Sequence, residues 1–127
     1  MYVLDLATKV LKEVSELDET KPPKRNSHSI CATDKAAYIF GGANLDGPLN
    51  DLYEFNFETQ KYRRVKLDES EVELPAIEMH TSHVYQGNKL LIVGGRAMKK
   101  GDKIEEIQFS DEIYCVDLES GKVSVLG

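Results

Sequence analysis

Three thirteen-residue segments of this chain superimpose column by column without a gap: Tyr2 to Val14, Tyr53 to Val65 and Tyr114 to Leu126. A tyrosine opens each copy. Leu4, Phe55 and Val116 share one apolar column, Leu6, Phe57 and Leu118 the next, and Leu11, Tyr62 and Val123 a later one. Apolar residues alternate at period two, stop at a polar cluster (Ala7-Thr8-Lys9, Glu58-Thr59-Gln60, Glu119-Ser120-Gly121) and then resume. That pattern predicts a β-hairpin in each copy. The first copy alone also fits an amphipathic helix, because Val3, Leu6, Ala7, Val10, Leu11, Val14 and Leu17 fall at three- and four-residue steps. A helix would not reproduce the turn position of two later segments rich in aromatic and β-branched residues, so strands are preferred.

A second unit recurs between these copies. Arg25 to Gly42 resembles His80 to Gly95, with His28 opposite His83. Each runs through a strand-like stretch and a polar turn (Thr33-Asp34-Lys35 or Gln86-Gly87-Asn88), then an apolar strand ending on paired glycines. Those glycines lack the spacing of a phosphate-binding loop, and positive φ with close backbone approach is their expected role. Two hairpins in sequence make four short strands per period of about 50 residues, the arithmetic of a propeller blade. The expected fold is therefore all-β: four-stranded antiparallel blades of an incomplete β-propeller, with a half blade at 2–14 and blades at 24–65 and 79–126. A generic antiparallel sandwich is the structural alternative.

The recurring residues also carry a family resemblance. Tyr38-Ile39-Phe40-Gly41-Gly42, Leu91-Ile92-Val93-Gly94-Gly95, Asp51-Leu52-Tyr53 and the bulky residue nine positions after that tyrosine are together similar to the kelch repeat. The resemblance runs through nearly all of residues 1–127, read as one partial kelch β-propeller region. The family usually has tryptophan where this chain has Leu11, Tyr62 and Val123, and the sequence contains no tryptophan. Blade packing is thus expected to use smaller or different side chains. The resemblance implies a non-catalytic module for protein–protein interaction. At roughly 50 residues per repeat the chain holds about two and a half units, whereas propellers generally have at least about four blades. Either a fragment or self-association that completes a ring is expected, since open blades would expose apolar area and strand edges.

Composition excludes several functions. The chain has 22 Asp plus Glu against 16 Lys plus Arg, a formal net charge of −6, which opposes the counterion-release attraction behind nucleic-acid binding. The longest apolar run, Ala36 to Phe40, is far short of a membrane span. The N-terminus does not read as a signal peptide, and Cys31 and Cys115 form no CxxC pattern, so a cytoplasmic protein with reduced thiols is expected. His80 and His83, three apart on a strand, point to opposite faces and make a poor metal pair. No His/Asp constellation is evident beside Cys31, and no cofactor is expected.

Blade topology indicates where binding occurs. With strands a to d joined in antiparallel order, the b-to-c and d-to-a connections share one face and the short turns share the other. The long connections are Ser15 to Lys24, Ala43 to Asp51, Lys66 to Met79 and Arg96 to Glu112. Long loops on a rigid scaffold carry recognition, so this face is expected to bind a protein or peptide. The candidate residues are Arg25, Asn44, Asp46, His80, Arg96 and Lys99. Arg25 matches a family position where arginine contacts acidic peptides in some kelch propellers, but its counterpart in the next repeat is read as His80. Asp68, Glu69, Glu71, Glu73 and Glu78 form an acidic loop suited to a basic peptide or to solvent. The alternative function is a sugar-modifying or isomerase-like propeller enzyme that requires blades absent from this chain.

Overall fold

The computed structural model describes residues 2–4, 6–13, 21–99 and 106–126. In chain order the strands are β1 (Tyr2–Leu4), β2 (Leu11–Glu13), β3 (Ser29–Ala32), β4 (Ala36–Phe40), β5 (Ala43–Asn44), β6 (Gly47–Pro48), β7 (Leu52–Asn56), β8 (Lys61–Arg64), β9 (Ile77–Glu78), β10 (Thr81–Tyr85), β11 (Lys89–Val93), β12 (Arg96–Lys99), β13 (Glu106–Phe109), β14 (Ile113–Asp117) and β15 (Val123–Val125). Two antiparallel sheets, β3-β4-β7-β8 and β10-β11-β14-β15, repeat one strand order. These are the two four-stranded blades. No helix occurs among the described residues, and the helical reading of the N-terminal segment gives way to the β1–β2 hairpin.

The columns seen in the sequence are columns in space. Tyr2 pairs with Glu13, Tyr53 with Arg64 and Tyr114 with Val125, and one step along the same face Leu4 pairs with Leu11, Phe55 with Tyr62 and Val116 with Val123. All three hairpins thus have one register. Their turns also match, because Lys9, Gln60 and Gly121 occupy the same position and all have positive φ, at 58°, 56° and 78°. Asn56 Oδ1 accepts hydrogen bonds from the Glu58 and Thr59 amides, and Asp117 Oδ1 accepts them from Glu119 and Ser120. Such Asx turns hold the left-handed residue that follows, which lets Gln60 stand where glycine would be the default.

The second repeated unit is offset from the sequence reading. Ser29 pairs with Phe40 and Thr81 with Val93, each partner lying just before a diglycine. His28 therefore corresponds to His80, not to His83, and Arg25 corresponds to Ile77. Ser27 and Met79, which precede those two histidines, share positive φ of 54° and 58°. The letter match of Asn26-Ser27-His28 to Thr81-Ser82-His83 hid a difference in turn length: four residues separate the last paired positions of β3 and β4, against three in β10–β11.

The main core lies between the blades. Ala36, Tyr38, Phe40, Leu52 and Val65 from the first blade meet Leu90, Ile92, Val116 and Val123 from the second, with Leu74 and Ile77 of the connecting segment completing the cluster. A second cluster, Ala37, Ile39, Tyr53, Phe55 and Tyr62, covers the first blade's other face. All five residues of β4 are consequently buried, whereas β11 alternates buried and half-buried positions. Of the substitutes for tryptophan, Tyr62 and Val123 are buried, whereas Leu11 is 62% exposed.

The diglycines mark where neighbouring segments close over a blade. A Cβ at Gly42, whose φ is 87°, would stand 2.4 Å from the Asn26 carbonyl oxygen, while one at Gly94, with φ 71°, would meet nothing within 4 Å. Gly42→Ala is expected to destabilise the fold by more than about 3 kcal/mol, through strain and overlap together. Gly94→Ala, with strain alone, should cost about 1–2 kcal/mol. Urea denaturation of both variants checks the order; equal losses would contradict this account.

Candidate functional site: the long-loop face

Residues 43–49, 77–79 and 96–97 of three long connections meet on one side, with Asn26 at the start of the first blade, and bond to each other. Asn26 and Ala43 exchange backbone hydrogen bonds of 2.9 and 2.8 Å, the Leu49 amide donates to Gly42 O, and Ile77 N donates to Leu49 O. Ile77 O in turn accepts from Gly42 N, and β9 pairs with β12 through Ile77–Ala97 and Glu78–Arg96. Ile77 is thus shared by three of these segments. On the opposite side Phe57 N donates to Lys35 O and Leu118 N to Asn88 O within their own blades, while Gly121 O of the β14–β15 turn accepts from Asp68 N of the connection between the blades.

These connections are not plain loops. Residues 43–48 form the ribbon β5–β6, and β13-β12-β9 is a three-stranded sheet standing beside the second blade. The ribbon had a signal in the sequence: Asn44 Oδ1 accepts from the Asp46 amide, and Gly47 has φ 119°, the chemistry of an Asx turn followed by a residue that must be glycine. The pairing of β9 with β12 joins segments far apart in the chain, and local pattern carried no sign of it.

Arg25 and His80 turn inward, so the expectation that they line the binding face gives way to structural roles. The Arg25 guanidinium forms a two-pronged pair with Asp51, with Nη2 to Oδ2 at 3.0 Å, and also donates to Gly41 O and Pro23 O. It lies over the Tyr53 ring at 5.6 Å, and its side chain is only 3% exposed. The cation therefore fastens the start of the first blade to the strand that follows its b-to-c connection. His80 is buried between the blades, with Nε2 2.7 Å from Ser29 Oγ and its ring edge-on to Phe40 at 5.1 Å.

The remaining candidates stay at the surface or beside it. Asn44 and Asp46 belong to the β5–β6 turn, with Asp46 exposed. Arg96 Nε donates to Glu78 Oε1 at 2.7 Å and is partly exposed. Lys99 ends β12, paired through its backbone with Glu106, while Lys100 and Lys103 lie outside the described residues. The acidic loop is largely occupied with its own conformation: Glu69 accepts from Leu74 N, Asp68 accepts from Ser70 N, and Glu71 pairs with Lys122. The hydrogen bonds from Ser70 hold the Asp68 carboxyl below the usual range. Three large apolar side chains that the sequence reading passed over protrude from this side: Leu45 (106% exposed), Met79 (63%) and Phe109 (83%). Among the described residues no group of three His, Cys, Asp or Glu side chains is placed to hold a metal ion, and no helix is long and apolar enough to cross a membrane.

Two predictions follow from the inward pair. Removing the cation from a buried ion pair strands its partner, so Arg25→Met should cost about 3–5 kcal/mol, and adding Asp51→Leu should recover part of that loss in chemical denaturation. For His80, burial holds the imidazole below the usual histidine range, with the Phe40 backbone opposing and His28 adding to the effect. His28 is also lowered, by burial and by Arg25. A base depressed in the folded state binds its proton more readily when unfolded. The associated stability is complete above about pH 6.5, the ordinary histidine value, and is lost as the pH falls below it. Denaturation midpoints between pH 5 and 8 should show a smaller acid loss in His80→Gln than in the parent chain.

The sequence matches the model of the KLHDC2/KLHL20/DRC7 Kelch-repeats domain over residues 1–126. It is 30% identical over 105 residues to the human protein called multiple epidermal growth factor-like domains protein 8, covering 79% of this chain and 4% of that protein. Kelch domain-containing protein 3 of Rattus norvegicus is 30% identical over 98 residues, which are 76% of this chain and 24% of the relative. Tip elongation aberrant protein 3 of Schizosaccharomyces pombe is 35% identical over 54 residues, 42% of this chain and 5% of its own length. The chain spans a small fraction of each of these relatives.

Proposed function

The chain belongs to the kelch-repeat family, and from that premise we propose that it is a non-catalytic interaction module that holds a protein or peptide partner on its long-loop face. Kelch repeats generally mediate protein–protein interaction, and the finer assignment to one face rests on the exposed trio. Leu45, Met79 and Phe109 project from connections that hydrogen bonds hold in place. Apolar anchors on a rigid polar surface are the usual source of binding energy at an interface. The non-catalytic reading is supported by the burial of both groups away from the surface, His80 between the blades and the Arg25 side chain in its pair with Asp51.

The same reading includes assembly. Gly41 is closed over by the Ile77 carbonyl of the connection that follows it, whereas its repeat counterpart Gly94 faces open space. A further blade or a second copy placed on that side of β10-β11-β14-β15 would fill this space and cover Leu91 and Val93. The protein is assigned to the cytoplasm, in keeping with two free cysteines and with a Cys31 thiol that burial pushes up, keeping it protonated.

The test uses partner capture by the full-length protein. Leu45→Asp and Met79→Asp should each reduce capture about tenfold, the loss of one anchor, while Thr59→Asp on the short-turn side should leave it intact. Capture that survives both loop-face substitutions would refute the assignment.

A further inference from the structure

The small sheet β13-β12-β9 has two faces, and burial tells them apart. Its cross-strand rows are Gln108–Ala97–Ile77 and Phe109–Arg96–Glu78. Neighbouring rows point to opposite faces of a pleated sheet. Ile77 belongs to the inter-blade core and is fully buried, so the sheet face that carries Ile77 and Ala97 is the inner one. The Phe109–Arg96–Glu78 row therefore faces out, consistent with the 83% exposure of Phe109.

β13 is also an edge. It pairs with β12 on one side and with no strand on the other among the described residues. Natural edge strands are usually blunted by lysine, proline or a bulge, because an unpaired row of amides and carbonyls is a template for another strand. The sequence of β13, Glu106-Ile107-Gln108-Phe109, contains neither lysine nor proline, and its four residues pair one-to-one with β12 without a bulge. Residues 106–114 include Glu106, Asp111 and Glu112 and no lysine, arginine or histidine, and Arg96 on the neighbouring strand is taken up by its ion pair with Glu78.

We propose that the free edge of β13 accepts an extended basic and apolar segment of a partner protein as an added strand, with Phe109 as its apolar anchor. The proposal rests on reading the long-loop face as the interaction face. Main-chain hydrogen bonds supply the pairing, alternate side chains of the added segment lie on the same outward face as Phe109, and the acidic flank selects lysine or arginine.

The experiment titrates the isotope-labelled 127-residue chain with an eight-residue acetylated peptide of alternating valine and lysine. Two controls accompany it: the same peptide with glutamate for lysine, and a version N-methylated at alternate amides so that it cannot join a ladder. Strand addition predicts shift changes and slowed amide exchange centred on residues 106–109, with binding at least about tenfold weaker for either control and for the Phe109→Ala chain. Perturbation absent from 106–109 at saturating peptide overturns the proposal, as does equal binding of the N-methylated or glutamate peptide. The two readings separate cleanly. If Leu45→Asp abolishes partner capture while β13 ignores the peptide, the loop face stands and strand addition fails; binding at β13 with partner capture unaffected by Leu45→Asp and Met79→Asp refutes the wider assignment instead.

Discussion

The dry contact between the two four-stranded blades supports the rest of the molecule. Each blade is a single sheet and cannot enclose a core alone. Phe40 and Leu52 from one side, and Leu90, Ile92, Val116 and Val123 from the other, are buried only because the sheets lie face to face. Leu74 and Ile77 come from the intervening connection, so the segment that carries the chain between blades is itself part of the seal. A polar strip runs beside this apolar one, where His80 bonds Ser29 between the first strands of the two blades.

Burial of Ile77 explains how a surface made of connections acquires a fixed shape. Its side chain is anchored in the core while its backbone bonds Gly42 and Leu49 and pairs with Ala97. The b-to-c connections of both blades are thereby referred to one rigid point. The Arg25–Asp51 pair fastens the first blade in a similar way. The backbone of this face is already ordered by folding, so its conformational entropy is lost before any contact with another molecule.

Much of the architecture was legible from single letters. The three tyrosine-led hairpins have the register their columns implied, and even the turn position with positive φ recurs at Lys9, Gln60 and Gly121. Period-two patterning is read by one strand from its immediate partner, so a local rule suffices. The candidate site was less legible. Arg25 looked like a surface cation because nothing in its neighbourhood of sequence identifies Asp51, 26 positions away, as its partner. His28 was matched to His83 by neighbouring letters, whereas the pairing to Phe40 and Val93 identifies His80 as the counterpart. Leu45, Met79 and Phe109 were overlooked because exposure is a property of what fails to cover a side chain.

The sequence by itself determined the hairpins, their registers, the need for glycine at the ends of β4 and β11, and hence a blade-forming kelch chain. Those features depend on alternation, turn chemistry and backbone sterics, each acting over a few residues. Tertiary structure decided which face of each blade is dry, that Arg25 and His80 are interior, and that β9, β12 and β13 join into a sheet whose β13 edge has no partner strand among the described residues. These depend on contacts between segments tens of residues apart, where burial and pairing follow from how the blades pack and no local pattern records the result.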